Sequence, residues 1–116
     1  MADSMDQKPP KMAKIGDRNE AKVSFKVILL THLGANITSN QIEVRRFVAP
    51  QNRCTSLMYL RAKFVTLFEK YLGKGMKVYW QDGDYDYVII KSDEELAIAF
   101  GEMKNGIKKL FVVAER

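Results

Sequence analysis

Residues 79–96 read YWQDGDYDYVIIKSDEEL and hold six of the chain's 14 acidic residues: Asp82, Asp84, Asp86, Asp93, Glu94 and Glu95. Only Lys91 interrupts the negative charge. The first three carboxylates alternate, Asp82-x-Asp84-x-Asp86, between two apolar runs. Their mutual repulsion is unfavourable in an isolated chain, so a positive charge is expected to offset it. That charge is either a metal ion or a basic surface on another molecule. Basic side chains of the right kind occur earlier in the chain: Lys26 lies inside an apolar run, and Arg45-Arg46 inside a second one.

The metal reading fits poorly. A calcium loop beginning at Asp82 would have its twelfth position at Asp93, where a bidentate Glu is needed. Its sixth position, normally Gly, is Tyr87, and a strand pattern rather than a helix precedes it. No metal or cofactor is therefore expected. Catalysis has little to work with. The lone His32 falls in a turn-like stretch with no Cys, Ser or acid constellation beside it. Cys54 precedes a helix start, a position that lowers a thiol pKa, but no partner residue for it is apparent. The sequence reads as non-enzymatic, without catalytic residues.

The elements that must position these groups follow from periodicity. Val23–Thr31 alternates Phe25, Val27 and Leu29 against Ser24, Lys26, Ile28 and Leu30, as a strand does. His32–Asn40 has turn chemistry, and Gln41–Val48 is a second strand with Ile42 and Val44 facing inward. That phase puts Arg46 inward and Arg45 outward, unless one of the pair lies at a strand end or a bulge re-aims it. Thr55–Leu72 is a helix with Leu57, Leu60, Phe64, Leu67, Phe68 and Tyr71 on its apolar stripe, a cap at Thr55 or Ser56, and Gly73 at its C-terminal end. Met76–Gln81 and Tyr87–Lys91 are strands flanking the acidic turn. Ser92-x-x-Glu95 is a capping box opening a second helix, with Leu96, Ala99, Phe100 and Met103 inward and Gly106 closing it. Lys108–Ala114 is an apolar strand suited to the centre of a sheet, beside the first strand. The order β-β-α-β-β-α-β with two helices is an α+β plan.

Composition bounds the rest. With 116 residues, 47% of them hydrophobic, the chain is one domain with a real core. A single cysteine excludes an intramolecular disulfide and suits a reducing compartment, cytosolic or nuclear. No apolar run is long enough to span a bilayer, and residues 1–21, polar and containing Pro9-Pro10, are expected to be a disordered leader before a domain at 22–116. The net charge of +5 weakly favours acidic partners, nucleic acid among them. However, the basic strands lack interleaved exposed aromatics, and the acidic surface repels phosphate.

With this element order, a lysine in strand one, an arginine pair in strand two and a D-x-D-x-D…S-D-E-E-L segment, residues 22–115 resemble a PB1 domain. Phe25-Lys26-Val27, Glu43-Val44-Arg45-Arg46-Phe47 and Ser92 to Leu96 are most similar to the sequestosome autophagy-receptor and scaffold proteins. The resemblance implies a ubiquitin-like β-grasp fold with a mixed sheet. It implies a basic face of Lys26, Arg45 and Arg46 and an acidic face of Asp82, Asp84, Asp86, Asp93 and Glu94. It further implies head-to-tail self-association in the cytoplasm, in cytosolic bodies or autophagosomes. Pairing with PB1 domains of kinases or polarity scaffolds stays open as the alternative. Tyr85 stands where the family turn has Gly before its last Asp, which predicts a different turn here. A whole sequestosome protein continues into further domains, so the chain is expected to be a fragment of a longer one.

Overall fold

The computed structural model describes residues 21–34, 37–103 and 106–115. The disordered leader expected at 1–21 lies outside these residues, apart from Ala21. Strand β1 (Lys22–Leu30) is followed by a four-residue helix α1 (Ile37–Asn40) and strand β2 (Gln41–Pro50). A 3-10 turn (Gln51–Arg53) leads to helix α2 (Leu57–Leu67). Strands β3 (Met76–Gln81) and β4 (Tyr87–Ile90), helix α3 (Asp93–Glu102) and strand β5 (Lys108–Ala114) complete the chain. The short α1 is an addition to the two helices expected. It occupies the stretch read as a turn, which a backbone bond from Thr31 N to Asn40 O closes at 2.9 Å.

The five strands form one mixed sheet in the order β2-β1-β5-β3-β4. The β1–β2 and β3–β4 pairs are antiparallel hairpins, and β5 enters between them, parallel to β1 and antiparallel to β3. This is the α+β, ubiquitin-like β-grasp arrangement. Lys108–Ala114 takes the centre because Leu110, Phe111 and Val112 are apolar on both faces and all buried.

The main core lies between the sheet and the two longer helices. Phe25, Val27 and Leu29 of β1 meet Leu57, Leu60 and Phe64 of α2 and Leu96 and Ala99 of α3. Phe25 stacks on Phe47 with centroids 4.9 Å apart, and Phe47 meets Phe64 edge-on at 6.2 Å. A smaller cluster of Ile28, Leu30 and Phe111, with Leu33, Ile37, Tyr79, Tyr87 and Val113 packed on it, lies on the other face, hereafter the open face.

Three expectations are corrected. First, β2 carries a bulge: Leu29 pairs with Glu43 but Leu30 pairs with Gln41, leaving Ile42 as the extra residue. Ile42 packs on the main core, but beyond the bulge the phase reverses, so Val44 is 40% exposed. Second, α2 stops at Leu67 rather than continuing to Leu72. The β-branched pair Val65-Thr66 weakens its last turn, where Thr66 Oγ1 turns back to bond Ala62 O at 3.3 Å. Tyr71 consequently points outward, and Leu72 fills the core in its place. Third, the left-handed glycine after this helix is Gly75, with φ of 108°, and not Gly73.

Candidate interaction faces

The bulge decides where the arginine pair points. Arg46 pairs with Lys26 across the β1–β2 ladder, and both side chains stand on the open face. Arg46 is exposed and Lys26 half-buried, and neither has an ion-pair partner among the described residues. Arg45 pairs with Val27, so it stands on the helix side of the sheet. There its Nη1 donates to Glu43 Oε2 at 3.3 Å and to Leu67 O, an orphan carbonyl of the last turn of α2, at 3.1 Å. The phase is thus the reverse of the strict alternation read from the sequence. Because β2 is an edge strand, the two guanidinium groups lie on either side of one exposed rim, open to a partner that approaches the edge.

The acidic turn stands at the opposite edge, between β3 and β4. Four inter-strand spacings separate β2 from β4, on the order of 19 Å. Carboxylate oxygens of Asp82, Asp84 and Asp86 lie within 4.8 Å of one another. The three residues play different parts. Asp82 Oδ1 accepts from the backbone N–H of Asp84 and of Asp86, both at 3.0 Å, and so shapes the turn. The carboxylates of Asp84 and Asp86 are exposed and have no hydrogen-bond partner among the described residues. Two backbone bonds close the same loop, Tyr85 N to Asp82 O and Asp82 N to Asp86 O, each 3.0 Å.

Tyr85 holds this turn in an unusual way. Its φ is 66°, the left-handed region that glycine enters freely and other residues enter at a cost of roughly 1–2 kcal/mol. The turn therefore adopts a conformation suited to glycine, but with an aromatic side chain that is 80% exposed. Gly83 needs no positive φ, and a Cβ there would meet nothing within 4 Å. Tyr87 belongs to β4, so the sixth position of a calcium loop is a strand residue here.

Asp93 and Glu94 open α3 under the Ser92 cap, whose Oγ accepts from Glu95 N at 3.1 Å. The box is displaced by one residue. Glu95 Oε1 accepts from Lys91 N rather than from Ser92 N. Asp93 has a structural partner that sequence spacing did not show: its Oδ1 accepts from Leu57 N at 2.8 Å, tying the start of α3 to the start of α2. Glu94 is exposed beside it.

Cys54 corrects another expectation. It is buried, its thiol donates to Gln51 O at 3.1 Å, and loss of solvent pushes its pKa up rather than down. His32 Nδ1 lies 2.9 Å from Thr31 Oγ1 beside an open cleft with Lys74, Lys77 and Glu115. Sequence reading also passed over Lys109, which the β1–β5 register sets directly beside Lys26. Its signal was available only as the second of two lysines opening a strand that is apolar from Leu110 onward.

No family model matches the chain, and no curated protein matches it in sequence. Solved structures do. The "AtNBR1-PB1 domain" is similar at 18% identity with a TM-score of 0.53, covering 80% of this chain and 99% of that one. The "Solution Structure of the PB1 Domain of Cdc24p (Long Form)" is similar at 18% identity with a TM-score of 0.47, covering 79% and 96%. The fold of this chain is that of a PB1 domain.

Proposed function

We propose that this chain is a non-enzymatic protein–protein interaction module that self-associates head to tail, basic edge to acidic edge, as part of an autophagy or signalling scaffold in the cytoplasm. One observation carries the reading: two clusters of opposite sign, in which Lys26, Arg46, Asp84 and Asp86 have no ion-pair partner among the described residues, stand toward opposite edges of a single sheet. A surface of that kind cannot satisfy itself within one copy. A second copy satisfies it by a heterologous contact, which propagates into filaments unless the rotation closes a ring. Lys26, Arg45 and Arg46 of one copy face Asp82, Asp84 and Asp86 of the next, with Asp93 and Glu94 at the margin. Arginine pairs with a carboxylate through a bidentate fork, whereas Lys26 acts as a point charge. Each exposed pair contributes about 0–1 kcal/mol, so several must act together, and salt weakens them all.

The test is sedimentation velocity against concentration at low and high salt, beside an Asp84→Ala/Asp86→Ala variant. These two residues are the right choice because neither carboxylate builds the turn. Large species that shrink with salt and vanish in the variant are expected. A monomer under every condition would refute self-association and leave the heterotypic alternative, pairing with a PB1 domain of a kinase or scaffold. Retention of RNA lost on Arg46→Ala, without any change in self-association, would instead favour nucleic-acid binding.

A further inference from the structure

The basic face extends beyond the lysine and arginines of the first hairpin. The register aligns Arg46 with Lys26 and Lys26 with Lys109, so three cations stand side by side on β2, β1 and β5. All three occupy the open face. Lys109 Nζ lies 5.6 Å from the ring centroid of Phe111, which packs with Ile28 in the open-face cluster. The neighbouring lysine shows the contrast. Lys108 donates to Met103 O at the end of α3 and lies 5.9 Å from the Phe100 ring, so it is committed to the helix side. Lys109 is exposed and has no ion-pair partner among the described residues.

Like charges directly opposite each other on adjacent strands oppose pairing. Two such contacts in one row, running from the β2 edge to the central strand, are unfavourable for the isolated fold. The geometry points to Lys109 as a further cation of the basic face, the third in its open-face row beside Lys26 and Arg46, which makes that row a strip three strands wide that receives the acidic turn of a second copy. The occupant follows from charge and number. Asp82, Asp84 and Asp86 present three carboxylates within 4.8 Å, and the strip presents three cations at successive strand spacings of about 4.8 Å. The partner's turn then lies partly over the open face instead of only abutting the β2 edge.

This inference rests on the head-to-tail reading, and the experiment separates the two. Two single-faced copies of the whole 116-residue chain are made: one keeps the basic face (Asp84→Ala/Asp86→Ala), the other the acidic face (Lys26→Ala/Arg45→Ala/Arg46→Ala). Their one-to-one affinity is measured by calorimetry at low salt. If they do not bind at all, the head-to-tail reading fails and the strip fails with it. If they bind, Lys109→Gln is placed in each copy in turn, with melting temperature as the folding control. The strip predicts that Kd rises roughly fivefold when Lys109→Gln is in the basic-face copy, does not change when it is in the acidic-face copy, and is restored by Lys109→Arg. An unchanged Kd in the basic-face copy would overturn the proposal. So would a loss seen in the acidic-face copy, because Lys109 would then be supporting its own chain's turn.

Discussion

Asp82 and Asp84 are the same residue type, two positions apart in one exposed turn, yet their replacement by alanine should shift stability in opposite directions. Asp82→Ala removes the acceptor of two backbone N–H groups at 3.0 Å, a loss of about 1 kcal/mol each. Either substitution also removes the repulsion of one carboxylate with two neighbours. At 4.8 Å in water that repulsion is about 0.9 kcal/mol per pair, roughly halved at physiological salt. Asp82→Ala should therefore destabilise by about 1 kcal/mol net, and Asp84→Ala should stabilise by about 1 kcal/mol. For a domain of this size the two melting temperatures should differ by roughly 10 °C. The assay is thermal unfolding by circular dichroism at micromolar protein, in a Lys26→Ala/Arg46→Ala background so that association does not contribute. Asp82→Asn, which keeps an acceptor oxygen and loses the charge, should fall on the stable side. High salt should shrink the gain from Asp84→Ala and deepen the loss from Asp82→Ala. Equal destabilisation by Asp82→Ala and Asp84→Ala would refute the division of labour assigned to the turn.

Other outcomes follow from the same structure. Asp93→Ala leaves Leu57 N without its acceptor and should cost about 1–2 kcal/mol in urea unfolding, with most of it recovered by Asp93→Asn. Tyr85→Gly relieves the left-handed strain but loosens the unfolded chain, so stability should be unchanged or raised by up to about 1 kcal/mol in the same measurement, whereas Tyr85→Val should lower it. The Cys54 thiol is held above its ordinary pKa of 9.0 by burial, so its contribution to stability is complete below that value and falls as pH rises toward the folded-state pKa. Denaturation midpoints of the chain and of Cys54→Ala should therefore run parallel up to about pH 8.5 and converge or cross above it. Alkylation of Cys54 at neutral pH should be slow and should accelerate with denaturant.

The strands, the two longer helices and the central place of the last strand were legible because alternation and helical spacing are local properties of the sequence. The closeness of Asp82, Asp84 and Asp86 was legible too, because all three lie within one short turn. What escaped was created by pairing. The side of the sheet that Arg45 and Arg46 take depends on one unpaired residue, Ile42, and no local pattern marks it as a bulge. The Arg46–Lys26–Lys109 row joins the first hairpin to the distant strand β5, so it exists only once the register is set. Asp93 reads as a helix-opening acid, which it is, but its bond to Leu57 N is tertiary. Tyr85 departs from the glycine that the resembled family has at this position of the turn. Its backbone nevertheless adopts the glycine conformation, because the Asp82 carboxylate and two backbone bonds together hold the loop.

The middle strand gives the fold a particular order of assembly. Each hairpin joins neighbours in sequence and closes quickly, but the ladder that unites them needs β5, which follows both hairpins in the chain. Until β5 emerges, the cations of the first hairpin and the carboxylates of the second belong to two separate, marginally stable ribbons. A nascent chain therefore displays both charged clusters before the geometry between them is fixed. Insertion of Lys108–Ala114 is the event that fixes the separation of the two edges, and with it, on the head-to-tail reading proposed above, the repeat distance of the assembly.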